Sequence, residues 1–215
     1  LAWLLQLGGL PFNPDGTAAF NSEAGAAALQ LYADIYQKWQ VDDFEFGATI
    51  TNFNQGLVGA TMVGPWYGAI LAKDFPSLRV GHVDQPPLPG VSADQPNYWA
   101  LPEVWAHVVS AEGAKKDGVW RFLDFLIRPE IAARWSAFSG EMPTVQKALA
   151  FPEVAGTPYI APYVEAIQYG VAENIPQYLS EDVTTVIETM LESVARGQAS
   201  VEDALAAAET EVNRL

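Results

Sequence analysis

The chain has 215 residues, 11 basic against 26 acidic, and a formal net charge of −15. Half of its residues are hydrophobic and 12% are aromatic, which argues for packed cores and against disorder. That charge repels nucleic acid and anionic membrane, and the absence of cysteine removes disulfides, thiolate nucleophiles and cysteine zinc sites. Two histidines, His82 and His107, are too few for a multi-histidine metal centre. No metal or cofactor is expected.

Residues 1–9 are apolar and helix-like, closing on Gly8-Gly9, and Asn13-Pro14-Asp15-Gly16 is a turn. No basic-then-apolar leader is expected within these residues, and removal of one upstream is compatible with that. Asn21 or Ser22 caps a helix whose apolar face runs through Ala28, Leu31, Tyr32, Ile35, Tyr36 and Trp39. The uncharged stretch from Phe46 to Ala72 holds five glycines and Pro65, too many breakers for a membrane span. It reads as a short helix, a buried strand over 59–63, and a new helix entered through Gly64-Pro65-Trp66. A second strand is expected over 79–83, parallel to the first by the right-handed crossover rule. The proline-rich run from 84 to 96 breaks regular structure and suits a crossover between lobes.

Beyond the crossover, 105–109 is a third strand candidate, and 115–127 and 129–138 read as helices, the second opened by Pro129 and closed by Ser139-Gly140. Short helices are expected over 145–150 and 159–169. The C-terminus holds two helices. Ser180 caps the first and Arg196-Gly197 stops it; Ser200 with Asp203 resembles a capping box for the second. Trp39, Trp120 and Trp135 fall within helix patterns and are expected in the core.

Enzyme signatures are missing: there is no G-x-S-x-G, no H-E-x-x-H and no P-loop. Paired carboxylates, as a glycosidase needs, are not specific when 26 acids are available. His82 and His107 read as structural. The aromatic residues carry more. Trp66 follows the short buried strand expected over 59–63, at a Gly-Pro turn into a helix, the edge where open α/β sheets bind ligands. A flat indole suits the apolar face of a sugar ring and spends little side-chain entropy. The same position also suits core packing. Tyr98, Trp99 and Trp105 form a second aromatic group, which either faces Trp66 across a cleft or packs as ordinary strand residues.

The order of these pieces resembles the extracellular solute-binding proteins of ABC importers, in the sugar-binding group that includes maltose-binding protein. The stretch 53–66, ending in Gly64-Pro65-Trp66, resembles that family's segment whose Trp stacks on sugar. Arg79-Val80-Gly81 through Pro89-Gly90 looks like its strand and crossover, and Arg128-Pro129-Glu130 and Gly140-Glu141-Met142-Pro143-Thr144 match further positions. Asn174-Ile175-Pro176-Gln177 and 197–205 resemble the end of maltose-binding protein. Glu181 and Asp182 stand near where that protein carries another stacking Trp, a departure that bears on maltodextrin specificity.

The resemblance implies an α/β, periplasmic-binding-protein-like (type II) two-lobe fold, present here as a C-terminal fragment. Residues 1–84 and 128–215 would form most of one lobe, and 85–127 a segment of the other. The implied function is capture of a sugar, expected to be an oligosaccharide, outside the cytoplasm, and its delivery to membrane permease subunits by hinge closure, without catalysis. The implied site residues are Trp66 and Trp105 as stacking platforms and Glu141 as a hydroxyl acceptor, with Tyr67 and Tyr178 as further candidates. The alternatives are a carbohydrate-active enzyme using acidic residues and a binding protein of the same fold for another solute. An isolated fragment is expected to self-associate through the apolar surface left on 85–127.

Overall fold

The computed structural model describes residues 1–47, 49–83, 87–88, 91, 106–166 and 180–215. Ten α-helices occur among them. They divide between two compact units, one holding the described residues of 1–47, 87–91 and 180–215, the other those of 49–83 and 106–166.

In the first unit, α1 (Ala2–Gln6) ends before Gly8, whose φ of +80° only glycine adopts easily. The turn at 13–16 closes through a hydrogen bond from Gly16 N to Asn13 O (2.9 Å), and a single antiparallel bridge joins Phe12 to Ala18. Helix α2 (Glu23–Gln37) starts where Ser22 Oγ accepts from Gly25 N at 3.1 Å, and Glu23 stands in its first turn. Helix α9 (Glu181–Ala195) is capped by Ser180 and α10 (Val201–Arg214) by Ser200, whose Oγ accepts from Asp203 N at 3.1 Å. Between them Gly197 (φ +69°) allows its own N–H to reach Val194 O and that of Gln198 to reach Ser193 O. Leu4, Phe12, Phe20, Leu29, Ala33, Val194, Leu205 and Val212 pack into one core. Polar ties fix the 12–21 loop on α10: Asn213 Oδ1 accepts from Ala18 N (2.8 Å), and Asn21 Nδ2 donates to Glu209 (2.6 Å). Gln37 Nε2 donates to Val194 O, joining α2 to the end of α9.

The second unit contains α3 (Thr49–Asn54), α4 (Trp66–Asp74), α5 (Asp117–Leu126), α6 (Pro129–Ser139), α7 (Pro152–Ala155) and α8 (Ala161–Ala166). The expected helix over 145–150 is a 3-10 turn, Gln146–Ala150. Ala132, Ala133, Ala148, Val154 and Ile160 form its core, with Met142, Phe151, Tyr159 and Val164 packed around them.

Several expectations are corrected. The segments 59–63, 79–83 and 106–109 are irregular, and the described residues contain no strand. An extended segment becomes a strand only when a neighbour closes its ladder, and no described segment pairs with these. Trp39 (47% exposed), Trp120 (52%) and Trp135 (63%) are not core residues. Trp39 lies past the end of α2, so the helical face no longer carries it inward. No residue of α5 is buried, and α6 turns its small residues Ala132, Ala133 and Ser136 inward instead of Trp135. The two compact units part the chain near residue 48. No described helix is long and apolar enough to cross a membrane.

Candidate functional site

The site is assembled within the second unit, around the start of α4. Pro65 sits at the N-cap with φ −61°, already helical, where its missing N–H costs nothing. Trp66 is therefore the first helical residue, and it is partly buried. Its indole folds back over Gly64: a Cβ there would stand 2.6 Å from Trp66 Nε1, so a bare α-carbon makes the ring's position possible. The ring meets Tyr67 edge-on at 5.6 Å.

Tyr67 has a different situation from its neighbour. It is 2% exposed, and its hydroxyl donates to Asn54 Oδ1 and lies 3.3 Å from Ile50 O. Those bonds anchor α4 to α3 and leave Tyr67 with little exposed surface.

Glu141 arrives from α6. That helix ends on Gly140 in the left-handed conformation (φ +78°), and a Cβ on Gly140 would come within 2.8 Å of Trp66 Cα and 3.0 Å of Pro65 O. The glycine thus lets the end of α6 touch the start of α4, two segments some seventy residues apart in sequence. Ser136, fully buried, donates its hydroxyl to Glu141 O (2.7 Å), and Glu141 N donates to Ser139 Oγ (3.1 Å). The backbone of Glu141 is held firmly, while no ion pair engages its partly buried carboxylate among the described residues. Trp66 and Glu141 are thereby brought to one corner. Trp105 and Tyr178 lie outside the described residues, as do Tyr98 and Trp99.

Two tyrosines that sequence reasoning passed over complete the surroundings. Tyr159 lays its ring on the bare α-carbon of Gly68, where a Cβ would be 2.7 Å from Cδ2. Tyr163 donates its hydroxyl to Val63 O. Desolvation raises the pKa of both phenols, so they stay protonated donors at neutral pH. Tyr159 lies in the turn before α8 and Tyr163 on α8, and nothing local told which segment either would meet. His82 stands 5.8 Å from Tyr159, and burial lowers its proton affinity; His107 is exposed. Among the described residues no group of three His, Asp or Glu side chains is placed to hold a metal ion.

Chemically, an indole and a carboxylate borne on neighbouring backbone segments supply an apolar face and a hydrogen-bond acceptor, groups suited to a ring with one apolar face and several hydroxyls.

The model of the bacterial extracellular solute-binding protein family matches residues 1–133. No curated protein matches the sequence. Among solved structures, the cyclic alpha-maltosyl-1,6-maltose binding protein of Arthrobacter globiformis is similar at a TM-score of 0.72 and 25% identity, over 100% of this chain and 55% of its own. The maltose-maltodextrin binding protein of Alicyclobacillus acidocaldarius gives 0.77 and 19% identity, over 98% of this chain and 58% of its own. The maltose/maltodextrin-binding domain of Bdellovibrio bacteriovorus, bound to maltotriose, gives 0.74 and 15%, over 99% and 56%. This chain thus spans a little over half the length of the solved structures it resembles, and it shares their α/β two-lobe periplasmic-binding fold. The family consists of binding proteins that work outside the cytoplasm, in the periplasm or attached to the cell surface. With its family model spanning more than half of the sequence, the chain belongs to the bacterial extracellular solute-binding proteins.

Proposed function

We propose that the chain takes part in binding a sugar, an oligosaccharide by preference, and in passing it to the permease of an ABC importer. The observation that carries this reading is the corner at the start of α4, where a partly buried Trp66 stands on a backbone anchored by Tyr67 and met by Gly140. Trp66 is the stacking platform. Glu141 accepts hydrogen bonds from sugar hydroxyls beside it. Trp105 and Tyr178 are assigned further contacts on the strength of the family resemblance. The solved relatives that bind maltose-type sugars support the substrate class. The binding step is non-catalytic, and ligand contacts favour a closed arrangement of two lobes.

The lobe assignment belongs to the same proposal: residues 1–84 and 128–215 in one lobe, 85–127 revisiting the other. The support for it is α5, whose apolar face (Trp120, Phe125) finds no buried position in its own compact unit.

The test is Trp66→Ala in the full-length protein, with calorimetric affinity for maltotriose and other oligosaccharides measured alongside a denaturation midpoint. A binding role costs ~1–3 kcal/mol of affinity, about five- to 150-fold, with the fold retained. Unchanged affinity with stability lowered by ~3–5 kcal/mol would make Trp66 a packing residue and remove the site.

A further inference from the structure

We propose that Tyr163 is a positioning residue: by holding the Val63 carbonyl, its hydroxyl fixes the backbone that carries Trp66 and so sets where the indole stands for a sugar. The inference rests on the reading of Trp66 given above, and it concerns a residue that would touch no ligand itself.

The 59–65 segment is irregular and lacks a strand partner among the described residues. Its backbone polar groups therefore need other partners, and Val63 O finds one in the Tyr163 hydroxyl from α8. That bond lies three residues before Trp66. Two residues after it, Tyr159 covers Gly68 so closely that no side chain fits between them. Helix α8 and the residues leading into it thus grip the chain on both sides of Trp66. The indole gains its place from the path of residues 63–68, over Gly64 and against Tyr67. A stacking surface tolerates little displacement, since a shift of about 1 Å already loosens a binding geometry. The Tyr163 hydroxyl is a polar hold on the approach to that ring, and it comes from a hundred residues away.

Tyr163→Phe removes that oxygen and keeps the packing. The full-length protein is labelled with 5-fluorotryptophan, and the Trp66 resonance is assigned by its loss in Trp66→Phe. Fluorine NMR of Tyr163→Phe is expected to show the Trp66 signal shifted or broadened, with the signals of Trp39, Trp120 and Trp135 unmoved. Tyr159→Phe keeps its ring on Gly68 and is expected to leave every signal in place. An unmoved Trp66 signal in Tyr163→Phe overturns the proposal. So does a displacement of all tryptophan signals together, which marks a general loss of packing.

The second readout is a double-mutant cycle with maltotriose. Tyr163→Phe is expected to weaken binding about three- to tenfold in the parent and not at all in Trp66→Ala. Equal losses in both backgrounds mean that Tyr163 acts independently of Trp66 and overturn the proposal. A Trp66→Ala protein that binds as tightly as the parent overturns the site itself, and the fluorine signal then still decides whether Tyr163 holds the ring. Where the parent does not bind maltotriose, the fluorine signal alone decides.

Discussion

Replacing Gly140 with alanine asks whether the corner that carries Trp66 is built on a bare α-carbon. Two costs add. Gly140 has φ +78°, where an L side chain is disfavoured by ~1–2 kcal/mol. The new Cβ would also stand 2.8 Å from Trp66 Cα, 2.9 Å from Ala69 Cβ and 3.0 Å from Pro65 O. None of these atoms can swing aside by a rotamer change, so α4 or α6 must move, at an overpacking cost of ~1–3 kcal/mol. The sum is about 2–5 kcal/mol. Gly56 separates the two terms. It lies in the same unit at φ +70°, and a Cβ there meets nothing within 4 Å. Gly56→Ala should therefore lose only the conformational part. Urea unfolding of both variants, followed by far-UV circular dichroism, measures the difference. Gly140→Ala should unfold at clearly lower urea than Gly56→Ala, and it should also move the Trp66 fluorine resonance. Equal midpoints for the two would refute the contact between the end of α6 and the start of α4, and with it the placement of Glu141 beside Trp66.

Two stability predictions follow from the cores. Ile160 is fully buried in the second unit, so Ile160→Ala should destabilise the protein by ~2–5 kcal/mol in urea titration, whereas Phe138→Ala, at an 80% exposed position, should cost little. Asn213→Ala should leave the Ala18 N–H without its acceptor and cost ~1–3 kcal/mol; faster hydrogen exchange at Ala18 is the direct readout, and an unchanged rate would show that this tie does not hold the loop.

Much of the helical structure was legible locally. Ser22 and Ser200 cap their helices by bonding N–H groups three residues on, Pro129 opens α6, and Gly140 and Gly197 end helices through left-handed turns. Each of these depends on atoms within a turn or two of the residue, so the residue type and spacing suffice to find it. The candidate site was legible in part, because Gly64-Pro65-Trp66 is itself a local device: a bare carbon, a preset φ and a large ring in consecutive positions.

What lay beyond the sequence was every outcome set by a partner far along the chain. Strand formation over 59–63 needed a neighbour to close its ladder, and the Val63 carbonyl went to Tyr163 instead. Apolar periodicity placed Trp120 and Trp135 on helices but said nothing of whether another element would cover them. Tertiary packing also set the exposure of two adjacent aromatic residues: Tyr67 is almost fully buried with its hydroxyl on Asn54, while Trp66 is only partly buried. Glu141 joined Trp66 only because Gly140 has no side chain to keep α6 away from α4. Local rules fix φ, ψ and caps. Which faces meet is decided by the summed packing of the whole unit, a quantity that no short window of sequence contains.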